Sequence, residues 1–139
     1  MDIIYNDTQQ DLPVEQLHTL FYRAGWSKSE ADIDPEMLKY FNMPFINSSL
    51  VISAWDGEKL VGVVRVLSDK IVRSVIYDLV VLPEYRNHGI GKELVKRCIH
   101  HFPSTEWLVQ TEKHIAVYYE RIGFKLYNDV VLTIPSKYM

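Results

Sequence analysis

"YDLVVLPEYRNHGIGKELVKRC", residues 77–98, decides how the rest of the chain is read. An apolar run of strand length ends at Pro83, passes a polar loop carrying Arg86, Asn87 and His88, and meets Gly89 and Gly91. Beyond Gly91, the residues Leu94, Val95, Cys98, Ile99 and Phe102 recur at helical spacing, so the loop sits at a helix N-terminus. The first amides of a helix have no carbonyl partner, the helix dipole favours an anion there, and missing side chains let a phosphate come close. Two glycine-rich designs are excluded. A Walker loop needs Ser or Thr after Gly-Lys, where this chain has Glu93, and a dinucleotide fingerprint needs a third glycine where it has Leu94. What remains fits either a pyrophosphate seat or a helix-entry turn that binds nothing.

Working outward, Val14, Leu17, Leu20, Phe21 and Ala24 predict a first helix stopped by Gly25. Asp34 before Pro35 has the form of an N-cap followed by proline at the first helical position, with Met37, Leu38 and Phe41 as a short apolar stripe. "SLVISAW" and "KLVGVVRVL" flank Asp56-Gly57, a hairpin signal, and a turn at "SDK" leads to the strand ending in "IYDLVVL". "EWLVQ" predicts a further strand, and Ile115, Tyr119 and Ile122 line a helix that Gly123 ends. "FKLY" and "VVLTI", around Asn128-Asp129, predict a closing hairpin. The predicted order, α-α-β-β-β-α-β-α-β-β, describes a mixed α/β (α+β) domain, residues 1–139, whose helices cover a mostly antiparallel sheet.

The chain's 139 residues fit one domain with one core. A net charge of -3 with dispersed basic residues suggests neither nucleic acid nor a membrane surface as partner, which leaves a small molecule. One cysteine excludes an internal disulfide and fits a reducing compartment. "MDIIYNDTQQD" lacks a basic region followed by an apolar stretch, and no run approaches a membrane span of about 20 apolar residues, so the expectation is a soluble cytoplasmic protein. The five histidines are scattered, and the adjacent His100 and His101 diverge on a helix, so no metal site is expected.

"VVLPEYRNHGIGKEL" resembles the acetyl-CoA-binding motif of the Gcn5-related N-acetyltransferase (GNAT) family: Arg or Gln, two residues, Gly, one residue, Gly or Ala, met here by Arg86, Gly89 and Gly91. Downstream, "AVYYERIGF" resembles the family's second signature, an aromatic-Tyr-Glu-x-x-Gly-Phe helix end. The element order resembles the family fold with its splayed central strands, and within the family the sequence resembles a small arylalkylamine-acetyltransferase-like branch. The resemblance implies acetyl-CoA as co-substrate, no metal, and transfer to a primary amine by direct attack in a ternary complex. It implies pantetheine pairing along Leu79, Val80 and Val81, and pyrophosphate on the amides of Asn87, His88, Gly89, Ile90, Gly91 and Lys92. It puts the signature tyrosine, the proton donor to the departing thiolate, at Tyr119; a packed core aromatic is the alternative. Tyr118 lies about 100° around the helix from it.

Amine acetylation also needs a proton acceptor and an oxyanion donor. A strand amide near Val80 would be the donor by resemblance. Asp78, a lone carboxylate in an apolar run, is either a base or water relay, or only an ion-pair partner of Arg65 on the neighbouring strand. Tyr22 and Trp26 lie where relatives shape the acceptor pocket, and Arg65 is grouped with them as an acceptor-side candidate. Cys98, on the apolar helix face, reads as packing. Two other functions stay open: a protein or peptide N-terminal acetyltransferase, and a noncatalytic acyl-CoA sensor. Dimers are frequent in the resembled family, and a homodimer is one expectation.

Overall fold

Hairpin signals and helical stripes become one sheet and its covering helices in a computed structural model that describes residues 1–26 and 34–137. The elements are β1 (Ile3–Asn6), α1 (Val14–Arg23), α2 (Pro35–Leu38), α3 (Met43–Ile46), β2 (Leu50–Asp56), β3 (Lys59–Ser68), β4 (Arg73–Val81), α4 (Ile90–His101), β5 (Glu106–Val109) and α5 (Ala116–Glu120). Strand order follows chain order, β1 to β5. The first three pairings are antiparallel and β4 with β5 is parallel, because α4 crosses over between them.

Val51, Ile52, Val61, Val63, Val64 and Val66 are buried on both faces of the two central strands, which explains why these strands read as near-continuous apolar runs. One face packs against α4 through Ile90, Leu94, Val95 and Cys98, and the other against α1 through Leu17, Leu20 and Phe21. The Asp34 side chain accepts from the Glu36 amide and Pro35 opens α2, as its cap signature predicts. Burial pushes the Cys98 thiol up to about 12, so it is inert packing. A folded-state pKa above the unfolded value means stability is full below the unfolded pKa and is lost as pH rises between about 9 and about 12. Cys98→Ala should flatten that part of a pH–stability curve measured by urea melts, while lowering stability throughout by leaving a void.

Two expectations are corrected. β1 was not predicted; "IIYN" is too short to show alternation, and it is held by pairing with Ser53–Asp56 on β2 and by Ile3 and Tyr5 packing against the core. The closing hairpin is not formed. Residues 124–136 run without helix or strand, with Leu126, Tyr127, Val130, Leu132 and Ile134 exposed. The alternation there is suitable for strands, but a hairpin that docks on nothing is at best marginal in water, and no strand lies against the outer edge of β5 among the described residues.

Candidate active site

β4 and β5 share only four register positions, Arg73 to Ile76 against Glu106 to Val109. Past Ile76 the longer strand continues to Val81 with β3 alone, and a wedge opens on its other side. The Leu82 amide donates to the Val61 carbonyl at 2.9 Å. Since antiparallel backbone groups alternate in direction, Val80 also faces β3, while Leu79 and Val81 turn their N–H and C=O toward the wedge. Arg86 Nε donates to the Val81 carbonyl at 3.3 Å, which confirms that this carbonyl points outward. The strand amides free to meet a ligand are therefore those of Leu79 and Val81, one residue to either side of the donor expected near Val80.

The wedge ends at the N-terminus of α4. Asn87 has φ 66° and Gly89 φ 81°, left-handed conformations that bend the loop tightly into the helix. Gly89 is the N-cap and has no side chain to satisfy the helix, and the first intrahelical bond there runs from Glu93 N–H to Gly89 C=O at 3.0 Å. The amides of Ile90, Gly91 and Lys92 are thereby left without helical carbonyls, as an anion seat requires. A Cβ at Gly91 would meet the Tyr118 hydroxyl, so a side chain there requires that ring to shift.

These parts line one cleft of about 470 Å³. Of the expected residues it brings together Leu79, Val80, Val81, Arg86, Asn87, Gly89, Ile90, Gly91 and Lys92, with Trp26 and Tyr119. His88, Asp78, Arg65 and Tyr22 are not among its lining. Tyr119 is 7% exposed, packs edge-on against Tyr118 and Phe124, and has its phenol pushed up to about 12, first by burial and then by Tyr118. Its hydroxyl holds its proton throughout the neutral range. Residues that the sequence reading missed are Tyr85, His114, Ile115 and the cleft-facing Tyr118. A lone histidine gives no signal in sequence, and the role of Tyr118 follows only from where the helix is docked.

Asp78 and Arg65 are cross-strand neighbours, and Arg65 Nε donates to Asp78 Oδ2 at 2.6 Å, with both side chains largely buried. The Arg65 guanidinium also lies over the rings of Phe45 and Tyr77. Gly62 and Val81, three residues away on each strand, are of opposite phase: a Cβ on Gly62 would touch Ile90 and Leu94 of α4. The ion pair thus stands on the sheet face covered by α3, opposite the α4 face. Asp78 Oδ1 has no protein partner among the described residues. No group of three or more metal-ligating side chains occurs among them either.

A sheet split after four rungs, with a helix N-terminus at the mouth of the split, is the architecture of the GNAT acetyltransferase domain. Residues 47–126, more than half the chain, match the model of that domain, and the chain belongs to this family. It is 27% identical over 128 residues, 87% of its length and 70% of the other's, to "Uncharacterized N-acetyltransferase ycf52" of Pyropia yezoensis. A 78-residue stretch is 30% identical to "GCN5-related N-acetyltransferase 2, chloroplastic" of Arabidopsis thaliana, covering half of this chain and 30% of that protein. A GNAT-family acetyltransferase structure from Streptococcus pneumoniae superimposes with a TM-score of 0.78 at 25% identity, covering 98% of this chain and 99% of that one. Acetyltransferases of this family use acetyl-CoA. No helix among the described residues is long and apolar enough to cross a membrane.

Proposed function

We propose that the chain is a single N-acetyltransferase domain that moves an acetyl group from acetyl-CoA to the primary amine of a small molecule, with both substrates bound together, in the cytoplasm. The observation that carries this reading is the outward-facing backbone of Leu79 and Val81 leading to the free amides of Ile90, Gly91 and Lys92. A strand-like arm can pair along the first pair, and its phosphates can rest on the second set. Acetyl-CoA supplies the thioester. The strand amides then offer donors to the developing oxyanion, and Tyr119 holds the proton that a leaving thiolate needs. Trp26, 58% exposed and held edge-on by Phe21, is a flat apolar surface for an acceptor.

An attacking amine must lose a proton, because its pKa near 10 keeps it charged at neutral pH. Asp78 is the proposed acceptor through a water molecule on Oδ1, with Oδ2 engaged by Arg65. Asp78→Asn is expected to lower kcat/KM most at low pH, with partial recovery as rising pH supplies free amine. It should also reduce stability, by about 1.5–3 kcal/mol for the lost charged hydrogen bond. A wild-type pH profile with the stability loss alone would leave Asp78 as an ion-pair partner.

The reading as a whole is tested by thiol release from acetyl-CoA across polyamines, arylalkylamines, amino acids, aminoglycosides and peptides. Turnover with a small amine is the expected result. Turnover restricted to peptides would move the function to N-terminal acetylation, and tight acetyl-CoA binding with no turnover would make the chain a sensor.

A further inference from the structure

The Arg65–Asp78 pair has hydrogen-bonding groups left over. Arg65 Nε is taken by Asp78 Oδ2, but among the described residues nothing accepts from its two Nη groups and nothing donates to Asp78 Oδ1. No buried side-chain nitrogen or oxygen among these residues lacks a partner, so the spare groups reach solvent, although the two side chains are only 18% and 16% exposed. Sinking a pair this far is costly, and Arg23, Arg73 and Arg97 meet their carboxylates at the open surface instead. The guanidinium is also fixed in place. Its carbon lies 5.6 Å from the centre of the Phe45 ring and 5.1 Å from that of Tyr77, which the bulge in β4 brings to the same side as Asp78. A fixed, half-used guanidinium fork receives a carboxylate, and the free carboxylate oxygen beside it receives an ammonium.

We propose that the acceptor is a free α-amino acid, with its carboxylate on the Nη groups of Arg65 and its ammonium on the water held by Asp78 Oδ1. The inference rests on the acetyltransferase reading above and narrows its substrate to molecules that carry both charges on one carbon. The pair is suitably placed. Asp78 directly precedes Leu79, whose backbone faces the wedge, and ring contacts from Phe45 to Phe21 at 5.9 Å and from Phe21 to Trp26 at 5.7 Å run from the pair to the cleft wall. In the reaction the ammonium passes one proton to the water on Asp78, and the nitrogen bonds to the acetyl carbonyl carbon as the C–S bond breaks. Tyr119 gives its proton to the sulfur and is restored by the second proton that the nitrogen sheds. The products are an N-acetyl amino acid, free coenzyme A and one proton.

The test follows thiol release from acetyl-CoA with each natural amino acid, with the amine left when its carboxylate is removed, and with its methyl ester. Wild type is expected to favour at least one amino acid over both counterparts by roughly 10²-fold in kcat/KM, because either counterpart leaves the Arg65 fork unmatched. Arg65→Gln should remove most of that preference, costing the amino acid about tenfold more than the amine. An arginine that only held Asp78 in position would cost all three acceptors equally. Amines, esters or peptides turned over as well as the amino acids, or equal losses in the variant, overturn the inference and leave the acetyltransferase reading standing; release with no acceptor at all overturns both. The wild-type preference needs no variant, so it decides the matter even where Arg65→Gln fails to fold.

Discussion

Tyr119→Phe is expected to lower kcat by about 10²-fold, within the range for loss of a positioned general acid, with little change in acetyl-CoA affinity. The ring stays packed against Phe124 and Tyr118, so the variant removes one proton donor and no packing. Because the phenol is pushed up to about 12, the wild-type donor stays protonated well past neutrality, and any alkaline decline below about pH 10 must come from another group. Tyr118→Phe is the informative companion. Its hydroxyl lies over Gly91 in the cleft, so its loss should alter KM for acetyl-CoA more than kcat. Equal kcat losses from both changes, read in single-turnover assays, would refute the assignment of the donor to Tyr119.

Gly91→Val should weaken acetyl-CoA binding tenfold or more, about 1.4 kcal/mol, because a branched side chain stands where a phosphate must approach the amides. Its Cβ also meets the Tyr118 hydroxyl, which should lower the melting temperature. The double variant Gly91→Val with Tyr118→Phe separates two effects. With the hydroxyl gone, the nearest ring atom is 3.5 Å from the new Cβ, an ordinary contact, so part of the stability should return. Binding should remain impaired, because the branched side chain still stands over the free amides. Calorimetry showing full recovery of affinity in the double variant would make Tyr118, and not the bare backbone at Gly91, the determinant of the seat.

The loop and α4 were legible because glycine position and helical spacing both point to one structure there, and the β2–β3 hairpin was legible because Asp56-Gly57 punctuates two apolar runs. Arg65 could be named as the neighbour of Asp78 for the same reason: the hairpin and the next turn put the two opposite one another. What the sequence hid depends on docking. Tyr118 and Tyr119 are adjacent letters, and only the placement of α5 over α4 puts one hydroxyl on Gly91 and buries the other ring. A strand amide near Val80 was expected to face the ligand, yet which backbone groups face the wedge depends on ladder phase, which the bulge at Tyr77 resets between Ile76 and Asp78. The tail misled for a related reason. Alternation marks a segment as able to be a strand, but whether it becomes one depends on an available edge.

The wedge between β4 and β5 also gives the protein an internal clock for deuterium uptake. Along three consecutive residues of β4, the Val80 amide is held in the ladder with β3, while those of Leu79 and Val81 lack a strand partner. Without ligand, the protons at 79 and 81 should be lost to solvent orders of magnitude faster than the one between them. Saturation with acetyl-CoA should slow the outer two and leave the middle one unchanged, so a fast–slow–fast signature collapsing to uniform slowness would register occupancy of the cleft before any acetyl group has moved.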